Sequence, residues 1–152
     1  MVITQDDSKI LAYLRNNARE SIVQISKETG IPQSTVYQKL NDYEKRFIKK
    51  HTSLLDFHRL GFEVHACVVL KVNKEDRQNF LKFLQEEPFV NTAYEVNHEF
   101  DFVLECVLKD QAHLKTFIER IEEQFRIEKK AVHQLINDIK KEQFMACAER
   151  IV

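Results

Sequence analysis

Glycine and proline are scarce in this chain: two of each, Gly30, Gly61, Pro32 and Pro88, in 152 residues. So few glycines leave no Gly-rich phosphate loop, and they make the position of each one informative. Cysteine is almost absent too. Cys67, Cys106 and Cys147 are odd in number and never closely spaced, which speaks against a disulfide framework and a zinc cluster. No apolar run approaches a membrane span, and no N-terminal apolar segment with a cleavage site is present, so a cytoplasmic protein with no membrane partner is expected. His51, His58, His65, His113 and His133 have no metal-ligand spacing. No nucleophile–base pair and no paired carboxylates are visible, so the chain is read as a non-enzyme without cofactor or metal.

Hydrophobic residues make up 43% of the chain and charged ones 31%, the balance of a globular protein with one medium domain or two small ones. The net charge of -1 hides an asymmetry. Up to Leu60 there are ten Lys and Arg against seven Asp and Glu; beyond it there are thirteen against seventeen. A first part that faces nucleic acid and a second that does not would carry such a split.

The stretch GIPQSTVYQKLNDYEKR, residues 30–46, organises the first part. From Pro32 onward Val36, Leu40, Tyr43 and Phe47 recur at helical spacing and form one apolar stripe. The opposite face carries Ser34, Gln38, Asn41 and Lys45, flanked by Gln33, Thr35 and Tyr37. Amides, hydroxyls and cations without a carboxylate suit base edges and the phosphates beside them. Upstream, Asp6 or Asp7 caps a first predicted helix with Ile10, Leu11 and Leu14 inward, ending near Asn16 and Asn17. Ser21 and Gln24 fit a capping box that opens a short second helix burying Ile22 and Ile25. Gly30 stands just past its end, where a left-handed residue is wanted, and Pro32 at the start of the third helix, where its missing N–H is harmless. A short helix, a Gly turn and a polar-faced helix make a helix-turn-helix whose last helix reads the major groove.

A strand is predicted over 48–55, and a domain boundary near Leu60. The period then changes. Val64, Ala66, Val68, Leu70 and Val72 alternate as a strand, and a helix follows with Phe80, Phe83 and Leu84 inward. Strands over 90–96 and 102–108 are joined through a tight connection at 97–100. A second helix aligns Leu114, Phe117, Ile118, Ile121 and Phe125, and a last strand runs over 127–139. The order β-α-β-β-α-β predicts a ferredoxin-like antiparallel sheet with both helices on one face. The tail over 144–152 is expected to be an extra edge strand or a swapped arm. The expected class is α+β: a winged-helix-like helix-turn-helix domain over 1–60, then a ferredoxin-like domain over 61–152.

Two segments, DSKILAYLRNNAR and ISKETGIPQSTVYQKLNDYEKRFIKKHTSLLDFHRLGF, resemble the Lrp/AsnC family of feast/famine transcriptional regulators in order and spacing. The resemblance implies a DNA-binding N-terminal domain, a strand hinge, and a ferredoxin-like domain that dimerises sheet to sheet, with further assembly in many members. It places Gln33, Ser34, Thr35, Tyr37, Gln38 and Lys39 on the DNA-reading helix. By charge and position Lys39, Lys45, Lys49 and Lys50 are expected to meet phosphates, and the other five base edges. The chain departs from the family in four places. No Gly follows the recognition helix before Phe47; Lys39 replaces a common Arg; Lys50 replaces a common Gly. Many members bind an amino acid near a Gly that stands a few residues before an Asp, between the second and third strands of the C-terminal domain. Asp101 matches that Asp, but His98 stands in place of the Gly. His takes positive φ less readily than Gly, so an absent or different effector is expected, with His98 and Asp101 as candidate effector-binding residues.

The stretch YEVNHEFDF, 94–102, also resembles the siroheme decarboxylases at Tyr94, Glu95, His98, Glu99 and Phe100, although Val96 stands where a basic residue would help hold substrate carboxylates. Three readings follow. The favoured one is a sequence-specific regulator that binds double-stranded DNA as a homodimer or higher oligomer, with modulation by a small-molecule effector left open. The alternatives are an architectural DNA-binding protein without effector and a tetrapyrrole enzyme.

Overall fold

The computed structural model describes residues 3–148. The chain forms two compact units: the stretch up to Leu54 together with residues from Ile139 onward, and Leu55–Asp138. The division falls a little before the expected boundary, and the C-terminal segment goes with the N-terminal unit.

Three helices build the first unit: α1 (Gln5–Asn16), α2 (Ile22–Thr29) and α3 (Gln33–Arg46). The cap of α1 is Thr4, earlier than the sequence suggested: its hydroxyl accepts the Asp7 N–H while the Asp7 carboxylate accepts the Thr4 N–H, a reciprocal box. Ser21 caps α2 by accepting the Gln24 N–H, but the Gln24 side chain turns to Glu28 and the box stays half-formed. Gly30 closes α2 in the left-handed region, φ 73°. Ile10, Ile25, Ile31, Val36 and Tyr43 form the core of the unit, with Leu11, Leu14, Ile22 and Leu40 against it. Phe47 lies one residue beyond α3, 44% exposed, with its ring against Tyr43.

No strand forms over 48–55. A strand needs a ladder partner, and none of the described residues pairs with this stretch, whose side chains are exposed from Lys49 to Asp56. The C-terminal segment is no edge strand within its described part either. Residues 139–148 make turns, with Glu142 and Met145 at φ 53° and 63°. The carbonyls of this segment accept side chains of α1 rather than a ladder. Arg15 donates to the Phe144 carbonyl at 3.0 Å and to the carbonyl of Glu142 at 2.7 Å, while Asn16 donates to the Ala146 carbonyl at 2.8 Å. The part of the expected arm from 149 on lies outside the described residues.

The second unit is β1 (Val64–Val72), α4 (Arg77–Glu86), β2 (Val90–Glu95), β3 (Phe102–Leu108), α5 (Gln111–Gln124) and β4 (Ile127–Gln134). The sheet order is β2-β3-β1-β4, every pairing antiparallel, as a ferredoxin-like unit requires. β1 alternates strictly, with Val64, Ala66, Val68, Leu70 and Val72 buried toward α4 and α5. Asp110 caps α5 by accepting the His113 N–H, and Leu114, Phe117, Ile118 and Ile121 turn inward. Phe80, Phe83, Phe102 and Phe125 stack around the α4 end of this core. β4 stops at Gln134, five residues short of its expected end, and Ile136 beyond it is 86% exposed.

Both α4 and α5 pack on one face of the sheet, and the other face carries no helix of this unit among the described residues. Tyr94, Val103, Val69 and Ala131 are successive cross-strand partners there, an apolar row across all four strands. Thr92, Glu105, Cys67 and His133 form the next row, and His65 bonds Glu105 at 2.7 Å.

Candidate nucleic-acid interface and effector loop

The α2–α3 turn is held by two hydroxyls that sequence reasoning did not single out. Ser26 donates to the Ile31 carbonyl at 2.6 Å; Thr29 donates to Ile25 and accepts the Ile31 N–H at 3.3 Å. Both are short hydroxyl residues in the second half of α2, which pattern reading assigns to solvent. With Gly30 left-handed and Ile31 buried, the turn presents the first residues of α3 outward.

Along α3 the side chains of Gln33, Ser34, Tyr37 and Gln38 are exposed and Thr35 half-buried. Tyr37 is 57% exposed, high for a ring with no structural duty. Lys45, Lys49 and Lys50 are exposed as well, and among the described residues none of the three makes an ion pair. The missing Gly after the helix proves unnecessary: Phe47 leaves α3 at φ -136°, and the N–H groups of Phe47 and Ile48 both reach the Tyr43 carbonyl at 2.9 Å.

Lys39 differs from these lysines in being paired. Its ammonium donates to Asp7 Oδ1 at 2.6 Å and is turned inward from the polar face. Asp7, 3% exposed, is a buried carboxylate, and a buried carboxylate requires compensation. Tyr43 donates to the same oxygen at 2.5 Å, while Oδ2 accepts the Thr4 N–H and hydroxyl at 2.9 and 2.6 Å. Burial pushes the Asp7 carboxyl up, but the hydrogen bonds from Lys39, Thr4 and Tyr43 outweigh it and hold the group well below the usual carboxylate range. Burial first, and Asp7 second, push the Tyr43 phenol far above its ordinary value.

The loop between β2 and β3 corrects a second expectation. His98 adopts φ 76°, the conformation reserved for Gly in the sequence argument. The imidazole is exposed, and the left-handed conformation is held by a loop stitched at both ends. Val96 donates to the Asp101 carbonyl at 2.8 Å, and Asp101 donates its N–H to Leu70 at 2.9 Å. The Asp101 carboxylate accepts the Val72 N–H and lies 3.4 Å from Arg77. It ties the loop to the end of β1. His98 therefore follows the left-handed path expected of a Gly at this position.

Two residues of the tetrapyrrole resemblance are ion-paired. Glu95 pairs with Arg77 at 3.1 Å and Glu99 with Lys129 at 2.9 Å, which lowers the Glu99 carboxyl. Among the described residues no group of three or more His, Cys, Asp or Glu could hold a metal ion, and no helix is long and apolar enough to cross a membrane.

Two family models match: one described as Lrp/AsnC ligand binding domain over residues 65–143, and one described as winged helix-turn-helix DNA-binding over 7–46. The chain is 30% identical over 122 residues to the transcriptional regulator AzlB of Bacillus subtilis, covering 78% of each chain. It is 33% identical over 113 residues to the HTH-type transcriptional regulator Ptr1 of Methanocaldococcus jannaschii, covering 74% of this chain and 76% of Ptr1. A transcriptional regulator of Neisseria meningitidis, solved in complex with L-Met, shares the fold with a TM-score of 0.83 at 18% identity, over 93% of this chain and 94% of that one.

Proposed function

The chain belongs to the Lrp/AsnC family, and we propose that it is a sequence-specific transcriptional regulator that binds double-stranded DNA as a homodimer in the cytoplasm. The observation that carries the reading is the outer face of α3: exposed amides, hydroxyls and a phenol with unpaired lysines beside them, on a helix whose inner face is locked into the unit. Gln33, Ser34, Thr35, Tyr37 and Gln38 meet base edges, and Lys45, Lys49 and Lys50 meet phosphates. The dimer forms through the helix-free face of the sheet, where the row Tyr94, Val103, Val69, Ala131 offers an apolar centre with a polar row beside it. Two copies of α3 then read half-sites about one helical turn, or a multiple of it, apart.

The relative from Neisseria was solved with L-Met, and an amino acid fits the reading here as well, because the loop of His98 keeps the left-handed path that lets backbone N–H groups approach a carboxylate. Its contacts come from that backbone rather than from the Asp101 carboxylate.

Two variants test the DNA assignment. Gln38→Ala is expected to blunt discrimination between a selected duplex and a scrambled one, while Lys49→Ala weakens binding to both alike and lowers the salt slope by about one. Equal loss of specific and non-specific binding in Gln38→Ala contradicts the placement of α3.

A further inference from the structure

Lys39 sits on the recognition helix in sequence but not in chemistry. Among the cations of α3 and its exit, Lys39 is bonded to a buried carboxylate, Arg46 bonds the half-exposed Asp42, and Lys45, Lys49 and Lys50 face solvent. The carboxylate that takes it is saturated. Each oxygen of Asp7 accepts two donors: Lys39 and Tyr43 on Oδ1, the Thr4 N–H and hydroxyl on Oδ2. Two of those donors come from α3, one turn apart, at positions 39 and 43; the other two come from the N-terminal cap of α1. One carboxylate therefore fixes the start of α1 and the rotation of α3 about its own axis.

We propose that Asp7 and Lys39 are positioning residues for DNA reading: their buried bond sets the rotation of α3 that presents Ser34, Tyr37 and Gln38, and it withdraws the Lys39 charge from the phosphates. The proposal rests on the DNA-binding reading above and deepens it. Rotation matters because a bidentate contact to a base edge tolerates little misplacement, whereas a lysine–phosphate contact is a point-charge attraction that tolerates much. Loosening the helix therefore costs specific binding far more than non-specific binding. The Lys39 ammonium already has a counter-charge, so DNA binding releases no counterion on its account.

The test is a salt series on the full chain, with a selected duplex and a scrambled duplex of the same length. Lys39→Met removes the ammonium and keeps the stem. Its expected result is a loss of discrimination on the order of tenfold, with non-specific affinity and salt slope unchanged. Lys39→Arg supplies a donor for Asp7 and is expected to retain discrimination. Tyr43→Phe keeps the ring and removes the other α3 donor, and it is expected to act in the direction of Lys39→Met. A salt slope lowered by about one in Lys39→Met, with discrimination intact, would make Lys39 a phosphate contact and overturn the assignment. Should Lys39→Met fail to fold, Lys39→Arg and Tyr43→Phe decide: discrimination lost in the first or kept in the second overturns the assignment. Absence of duplex binding by the unmodified protein would instead remove the reading beneath it.

Discussion

The Asp101 carboxylate accepts the backbone N–H of Val72 at 3.0 Å, so the β2–β3 loop is fastened to the end of the neighbouring β1 strand. The bond satisfies a donor at the place where the β1–β4 register slips, between Lys71 and Val72. Removing it should leave that N–H without a partner. Asp101→Ala is expected to cost about 1–3 kcal/mol in urea unfolding and to speed amide exchange at Val72. Unchanged protection there would show that the bond does not hold the loop.

His98 pays a conformational cost at φ 76° and its ring is exposed, so the side chain contributes little in return. His98→Gly should stabilise the protein by about 0.5–1 kcal/mol, while His98→Val, β-branched in the left-handed region, should destabilise it by about 1–2 kcal/mol. Thermal melting of the two variants checks both signs. A lower melting temperature for the Gly variant would mean that the imidazole makes a stabilising contact.

Acid stability follows from Asp7. Its folded-state carboxyl is held below the ordinary value of 3.8, chiefly by hydrogen bonds from Lys39, Thr4 and Tyr43 that overcome the opposing effect of burial. A lowered folded value means that ionised Asp7 stabilises fully above that ordinary value and stops doing so as the pH falls through the folded one. The N-terminal helices should therefore keep their stability down to about pH 4 and lose it below. Asp7→Asn should be less stable at neutral pH and lack this acid dependence, as followed by circular dichroism.

The apolar row on the sheet predicts the assembly. Val69 lies between Val103 and Ala131 on the open face. Val69→Asp puts a charge at the centre of the proposed interface and is expected to give a monomer in sedimentation, with the sheet still folded. A dimer that persists in this variant places the interface elsewhere.

Much of this architecture could be read from residues alone, because its elements repeat a simple period. Strict alternation from Val64 to Val72 announced β1, and the stripe Leu114, Phe117, Ile118, Ile121 announced α5. The stretch over 48–55 failed because alternation shows only that a strand could form; the hydrogen-bonding partner that makes one is not local. The same holds past the end of β4, where the Leu135 N–H still reaches the His65 carbonyl at 2.7 Å but Ile136 continues only the apolar pattern. At the site, the exposed face of α3 followed from helical geometry, but the bond of Lys39 to Asp7 did not. Helical geometry assigns a residue to a face; it cannot tell that a buried Asp7, thirty-two positions earlier, draws a long flexible side chain inward. His98 was misjudged for a related reason. Propensity disfavours its conformation, but the loop is pinned by Asp101 and Val96 from outside the residue itself.

The most direct test of the central claim is selection of bound sequences from a random duplex library by the full chain, at low and at physiological salt. A sequence-specific dimer predicts a palindromic motif, with half-sites about one helical turn or a multiple apart, that survives physiological salt. Binding that vanishes as salt rises and enriches no motif would contradict sequence-specific reading by α3 and leave a DNA-coating protein in its place.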